Sequence, residues 1–230
     1  MNPALPLRGD SCNSRIFIMD FLKRNAPAPI VWAALALAFV LFGFTFRGPR
    51  KQFWQRMTYT GAALGPIALA AQPQLRKTRF TWTDVILGLS SAGVLYAIFQ
   101  VADRVTRKIL PGGARDIDAI YGLDAYRPKQ EIAARLAFII GPAEELFWRG
   151  FIQERFMNAY GRIIGTGMAT AAYGGAHLVA GNFTLIGAAT VAGAFWGGMA
   201  MLGATPGTLI ISHAFWDVFI FLIAPTQERQ

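Results

Sequence analysis

Residues 30–46 read Ile-Val-Trp-Ala-Ala-Leu-Ala-Leu-Ala-Phe-Val-Leu-Phe-Gly-Phe-Thr-Phe, a run without an ionisable side chain that stops at Arg47. As a helix rising ~1.5 Å per residue it extends about 26 Å, close to the ~30 Å hydrocarbon core of a bilayer. The pattern returns along the chain at Met57 to Ala71, Val85 to Ala102, Ile163 to Ala180, Phe183 to Gly203 and Pro206 to Ala224. A further stretch, Ile132 to Arg155, is apolar but carries charges inside it. The expected fold is therefore all-α: a polytopic transmembrane helix bundle of about seven spans. Met57 to Ala71 is the shortest, and Gly65-Pro66 within it predicts a kinked or re-entrant segment.

Composition agrees. Of 230 residues, 54% are hydrophobic and 15% charged, against roughly 25% charged in soluble domains, and the mean hydropathy is +0.37. The net charge of +9 comes from clusters such as Arg47/Arg50/Lys51 and Arg76/Lys77/Arg79 that flank apolar runs. Placed there, they predict lipid headgroups rather than nucleic acid as the partner. If all seven segments cross, Lys and Arg divide nine to eleven between the two sides, which fixes no orientation. The single cysteine, Cys12, excludes an intramolecular disulfide, and no histidine lies near it in sequence. The first apolar run lacks a small-residue cleavage pattern and reads as a retained anchor.

Three regions are expected. Residues 1–29 form a polar tail with a short amphipathic piece, Ile16 to Leu22. Residues 30–129 form a transmembrane scaffold and a polar connector, broken at Pro111-Gly112-Gly113 and with a surface helix over Asp116 to Arg127. Residues 130–226 form the functional helix bundle of an integral membrane protein.

The first three apolar segments contain no Asp, Glu, Lys, Arg or His, whereas the second half places nine such residues within its spans. A charge at mid-bilayer costs at least ~2.5 kcal/mol on insertion scales, so these residues require a reason. Arg135, Glu154 and Arg155 lie near helix ends and can snorkel. Glu144, Glu145, Arg149, His177, His213 and Asp217 remain, and they include both histidines of the chain. Spacing of four puts Tyr173 on one face with His177, His213 with Asp217, and Glu145 with Arg149. Tyr173 and Asp217 are thus expected to orient the two rings, and Glu145 and Arg149 to pair. Glu144 is rotated about 100° from its neighbour and free to face a cavity. Helix-to-helix polar clamps are the structural alternative for each residue alone. Two histidines and two carboxylates on three helices point instead to a reaction centre, and small residues such as Gly174, Gly175, Gly193 and Gly197 suit close helix approach.

Glu144-Glu145-Leu146-Phe147-Trp148-Arg149 resembles the EExxxR motif of the CPBP family, the intramembrane glutamic endopeptidases that include type II CAAX prenyl proteases and bacterial Abi proteins. Tyr173-Gly174-Gly175-Ala176-His177 resembles its FxxxH motif, and His213-Ala214-Phe215-Trp216-Asp217 its HxxxN/D motif. The match covers roughly residues 130–224. It implies an endopeptidase that needs no cofactor and acts on a membrane protein or peptide. Glu144 would activate water and His177 hold it or shuttle its proton, while His213 and Asp217 stabilise the oxyanion and Glu145 and Arg149 keep the geometry. Tyr173 replaces the usual Phe. Asp217 stands where prenyl proteases carry Asn, and an ionised carboxylate there would repel an oxyanion.

Other readings compete. Glu144, His177, His213 and Asp217 offer donors to zinc, although no HExxH is present. The family also contains non-catalytic immunity or scaffold members. A transporter would use buried Glu and His as proton relays, but no internal repeat is evident.

Overall fold

The structure, a computed structural model, describes residues 27–226. Cys12, the piece Ile16 to Leu22 and most of the polar tail lie outside the described residues. The described chain is helical: α1 (Pro29–Phe46), α2 (Phe53–Ala71), α3 (Trp82–Ile109), α4 (Gly113–Tyr121), α5 (129–160), α6 (Arg162–Ala176), α7 (Phe183–Met201) and α8 (Pro206–Val218), which continues as a π-helix over Phe219–Ile223.

The helix starts follow local chemistry. Thr81 and Asp84 cap α3 reciprocally, Asn182 accepts the Leu185 N–H at 2.7 Å, and Thr205 accepts the Thr208 N–H ahead of Pro206 in the first turn of α8. Gly161, at φ +83°, reverses the chain between α5 and α6.

Four helices are long and apolar enough to cross a membrane: Pro29–Phe46, Trp82–Ile109, Phe183–Met201 and Pro206–Ile223. The other three expected segments are helical but fall short for separate reasons. α2 opens on Phe-Trp-Gln-Arg and continues through Pro66 as one helix, without a re-entrant break. α5 carries charges along its middle, and α6 is α-helical only to Ala176 before a 3-10 turn, His177–Ala180.

Polar contacts mark the two ends of the bundle. At one, the Arg50 guanidinium donates to the Ala119 carbonyl at 2.6 Å and the Trp54 indole to the Leu123 carbonyl at 2.8 Å. At the other, buried Asp84 accepts from the hydroxyls of Thr81, Thr205 and Thr208, tying the start of α3 to that of α8. Arg155 there donates to the Ala71 carbonyl at 3.0 Å. One core, built around Phe42, Phe147, Trp148, Phe151 and Phe156, joins α1, α2, α5 and α6. A second, around Leu95, Trp196, Leu209 and Trp216, joins α3, α7 and α8.

The connector differs from the expected surface helix. Its helix is Gly113–Tyr121, followed by a short turn at Asp124–Tyr126, and it packs inward. Ile117 is 5% exposed, the Asn182 amide holds the Asp116 carbonyl at 3.0 Å, and Tyr121 meets the Thr226 hydroxyl at 3.0 Å. Burial pushes the Tyr121 hydroxyl above the ordinary tyrosine range, so it stays a neutral partner to Thr226.

Candidate active site

Glu144 and Glu145 sit where helix α5 changes winding twice. A π-stretch, Leu136–Ile140, precedes the short α-turn Gly141–Glu144, and a second, Glu145–Gln153, follows it. Pro142 supplies a local cause, because it has no N–H to give to the preceding turn. The Gly141 N–H reaches back five residues to the Leu136 carbonyl. Single π-turns within α-helices are often found at functional sites. Gly141 also lets α8 approach: a Cβ there would lie 3.3 Å from the Cα of Ala214, the residue after His213.

That approach joins the first and last motifs. His213 Nδ1 lies 2.7 Å from Glu145 Oε1, and Arg149 Nη1 donates to the same oxygen at 2.9 Å. A carboxylate paired with an arginine accepts hydrogen, so Nδ1 of His213 carries the proton and Nε2 is turned toward Asp217, whose Oδ2 is 3.5 Å away. The expected pair of Glu145 and Arg149 is present, with Glu145 also bridging to His213. The expected steering of His213 by Asp217 is the longer of its two contacts. Glu145 Oε2 and Arg149 Nη2 are buried without hydrogen-bond partners, so the ion pair is single-pronged.

Tyr173 does hold the His177 ring, as expected, but through its backbone. The Tyr173 hydroxyl does not reach His177; it donates to Glu144 Oε2 at 2.7 Å. The Tyr173 backbone carbonyl meets His177 Nδ1 at 2.9 Å instead. A carbonyl can only accept, so Nδ1 of His177 carries hydrogen and Nε2 is left as an acceptor in the neutral ring. His177 begins the 3-10 turn, which brings its side chain back onto a carbonyl left unpaired at the end of α6. Phe42 and Phe46 enclose the ring at centroid distances of 5.1 and 5.4 Å.

All seven residues singled out from the sequence are buried. Glu144, Tyr173, His177, His213 and Asp217 line one cavity of about 530 Å³, while Glu145 and Arg149 stand behind its wall. The remaining lining is largely apolar: Phe46, Phe53, Trp54 and Met57 from the scaffold half, Phe99 from α3, and Trp216 and Ile220 from α8. Ile117, Ile120 and Tyr121 of the connector helix close part of it. Among the described residues, no three His, Cys, Asp or Glu side chains group as a metal site.

Sequence reasoning missed Trp196, whose indole stacks on His213 with centroids 3.9 Å apart and planes 19° apart. It also missed Ser212, which accepts the Trp196 N–H at 3.0 Å. A large aromatic in the small-residue run Gly193-Ala-Phe-Trp196-Gly197, and a hydroxyl next to His213, were the available signals.

Residues 131–219 match the family described as Rce1-like, type II CAAX prenyl endopeptidase. All three motifs fall within that span. No curated protein and no solved structure matches the chain. The apolar helices make the protein an integral membrane protein. Residues 131–219 are thus similar to the CPBP/CAAX proteases, a family of membrane peptidases.

Proposed function

We propose that the protein is a glutamic intramembrane endopeptidase of the bacterial plasma membrane that processes a membrane-associated protein or peptide. One observation carries the reading: Glu144, held through one oxygen by Tyr173, shares a cavity with the rings of His177 and His213. Its second oxygen is then available to a water molecule. In the reaction, Glu144 takes a proton from water as the water oxygen attacks the scissile carbonyl carbon. The neutral His177 accepts a hydrogen bond at Nε2 and orients that water. His213, flanked by the Glu145 and Asp217 carboxylates, acts as an imidazolium with hydrogen on both ring nitrogens and donates its Nε2–H to the oxyanion, while Asp217 steadies that ring from the same helix. Glu144 returns the proton to the amine nitrogen as the C–N bond breaks, and the water oxygen ends in the new carboxyl group.

Glu145 and Arg149 do not line the cavity, which suits a geometric role. The apolar lining favours an extended, uncharged stretch of substrate at the membrane, cut during maturation or C-terminal processing. No metal takes part in this scheme.

The test is mass spectrometry of membrane-protein termini in cells carrying the wild-type protein or Glu144→Gln. New termini present only with the wild type are expected, and they identify the precursor. Identical termini in both, with an intact cellular phenotype in the variant, would mean a scaffold or immunity role instead.

A further inference from the structure

His213 has a fixed Nδ1, but one hydrogen bond does not fix a ring: the imidazole can still tilt about its bond to Glu145. Trp196 removes that freedom. It is fully buried on α7 and lies face to face with His213 at 3.9 Å. Its own orientation is set by α8 and α3. The indole N–H donates to Ser212 Oγ at 3.0 Å, Ser212 Oγ lies 2.9 Å from Ser91 Oγ, and Ser91 meets the Gly88 carbonyl at 2.9 Å. Ser212 is fully buried, and Gly88 brings α3 against α8, since a Cβ there would lie 3.0 Å from the Thr208 carbonyl. The Arg149 guanidinium, 5.3 Å from the indole ring, adds a cation–π contact.

Resting on the peptidase reading above, we propose that Trp196 is a positioning residue for His213. Its face, locked by the chain of hydroxyls from Ser212 to Ser91, holds the imidazole in the plane that directs Nε2 into the cavity. This assigns α3 of the scaffold half a part in the reaction, because the lock on Trp196 ends on its backbone.

The chain's two histidines make the test direct. In protein carrying labelled histidine, purified with a histidine-free tag and held in lipid nanodiscs, the His213 ring protons should be shifted upfield by the indole. Trp196→Leu should abolish that shift and leave the His177 signals in place. Trp196→Phe should keep most of it. If Trp196→Leu moves both histidines, Ser212→Ala carries the test, because it removes one hydroxyl only and should reduce the upfield shift of His213 alone. An unchanged His213 in Ser212→Ala, or in a Trp196→Leu protein with His177 unmoved, overturns the proposal.

On the precursor found by the terminus comparison, Trp196→Leu should lower kcat by on the order of 10- to 100-fold with KM within about twofold, and Trp196→Phe should recover most of kcat. A rise in KM at constant kcat overturns it too. If no precursor exists, the peptidase reading fails, while the resonance measurement still decides what holds His213.

Discussion

One carboxylate oxygen, Oε1 of Glu145, accepts from both Arg149 and His213 inside the bundle. Removing either side of such a buried pair strands a charge, at a cost of about 3–5 kcal/mol. Glu145→Gln and Arg149→Met should each destabilise by that order, and the double variant should be more stable than the sum of the two predicts. Chemical unfolding in detergent measures this; strict additivity would show that the two side chains do not interact. Tyr173 makes a smaller contribution. Tyr173→Phe removes only the hydroxyl on Glu144, so turnover should fall about 2- to 10-fold with unchanged folding. The sequence singled out side chains that the fold gathers in one buried cluster, because charges are improbable in apolar helices. It paired Tyr173 with His177 but did not reveal the partner of the tyrosine hydroxyl, because spacing of four specifies a shared face and says nothing of a second helix. Glu144 lies on that second helix, and only tertiary packing brings its Oε2 within 2.7 Å of the hydroxyl.

At the scale of helices, the site depends on where backbones come close. A Cβ on Gly193 would lie 2.9 Å from Cδ1 of Tyr173, so Gly193→Ala should displace the tyrosine ring from Glu144 and reduce turnover at least as much as Tyr173→Phe does. Equal activity in Gly193→Ala and wild type would show that α7 does not seat Tyr173. Far from the cavity, Asp84 links the starts of α3 and α8, and Asp84→Ala should lower Tm by about 5 °C through loss of a shared cap. Four of the seven expected spans were legible because their hydropathy is high along the whole helix. The π-stretches were not, since Pro142 forecasts only a disturbed helix and not how the backbone absorbs it.

The whole molecule places the turns after α1, α3 and α6 at one end and those after α2, α5 and α7 at the other. With Cys12 replaced by serine, single cysteines at Lys51 and Arg115 should therefore react with an impermeant thiol reagent from one side of the membrane, and one at Lys77 from the opposite side. Labelling of all three from one side would break this arrangement. The inward face of the connector helix was missed because its polar residues are obvious in sequence. Its few apolar ones, Ile117 and Ile120, acquire meaning only through the cavity they cover. The central claim is that Glu144 activates water without a metal. Its most direct test is cleavage of the precursor by purified protein in liposomes under strong chelation. Wild-type cleavage should survive the chelator, and Glu144→Gln should be slower by about 10²- to 10⁴-fold. Undiminished cleavage by Glu144→Gln, or wild-type cleavage abolished by the chelator and restored by zinc, would contradict it.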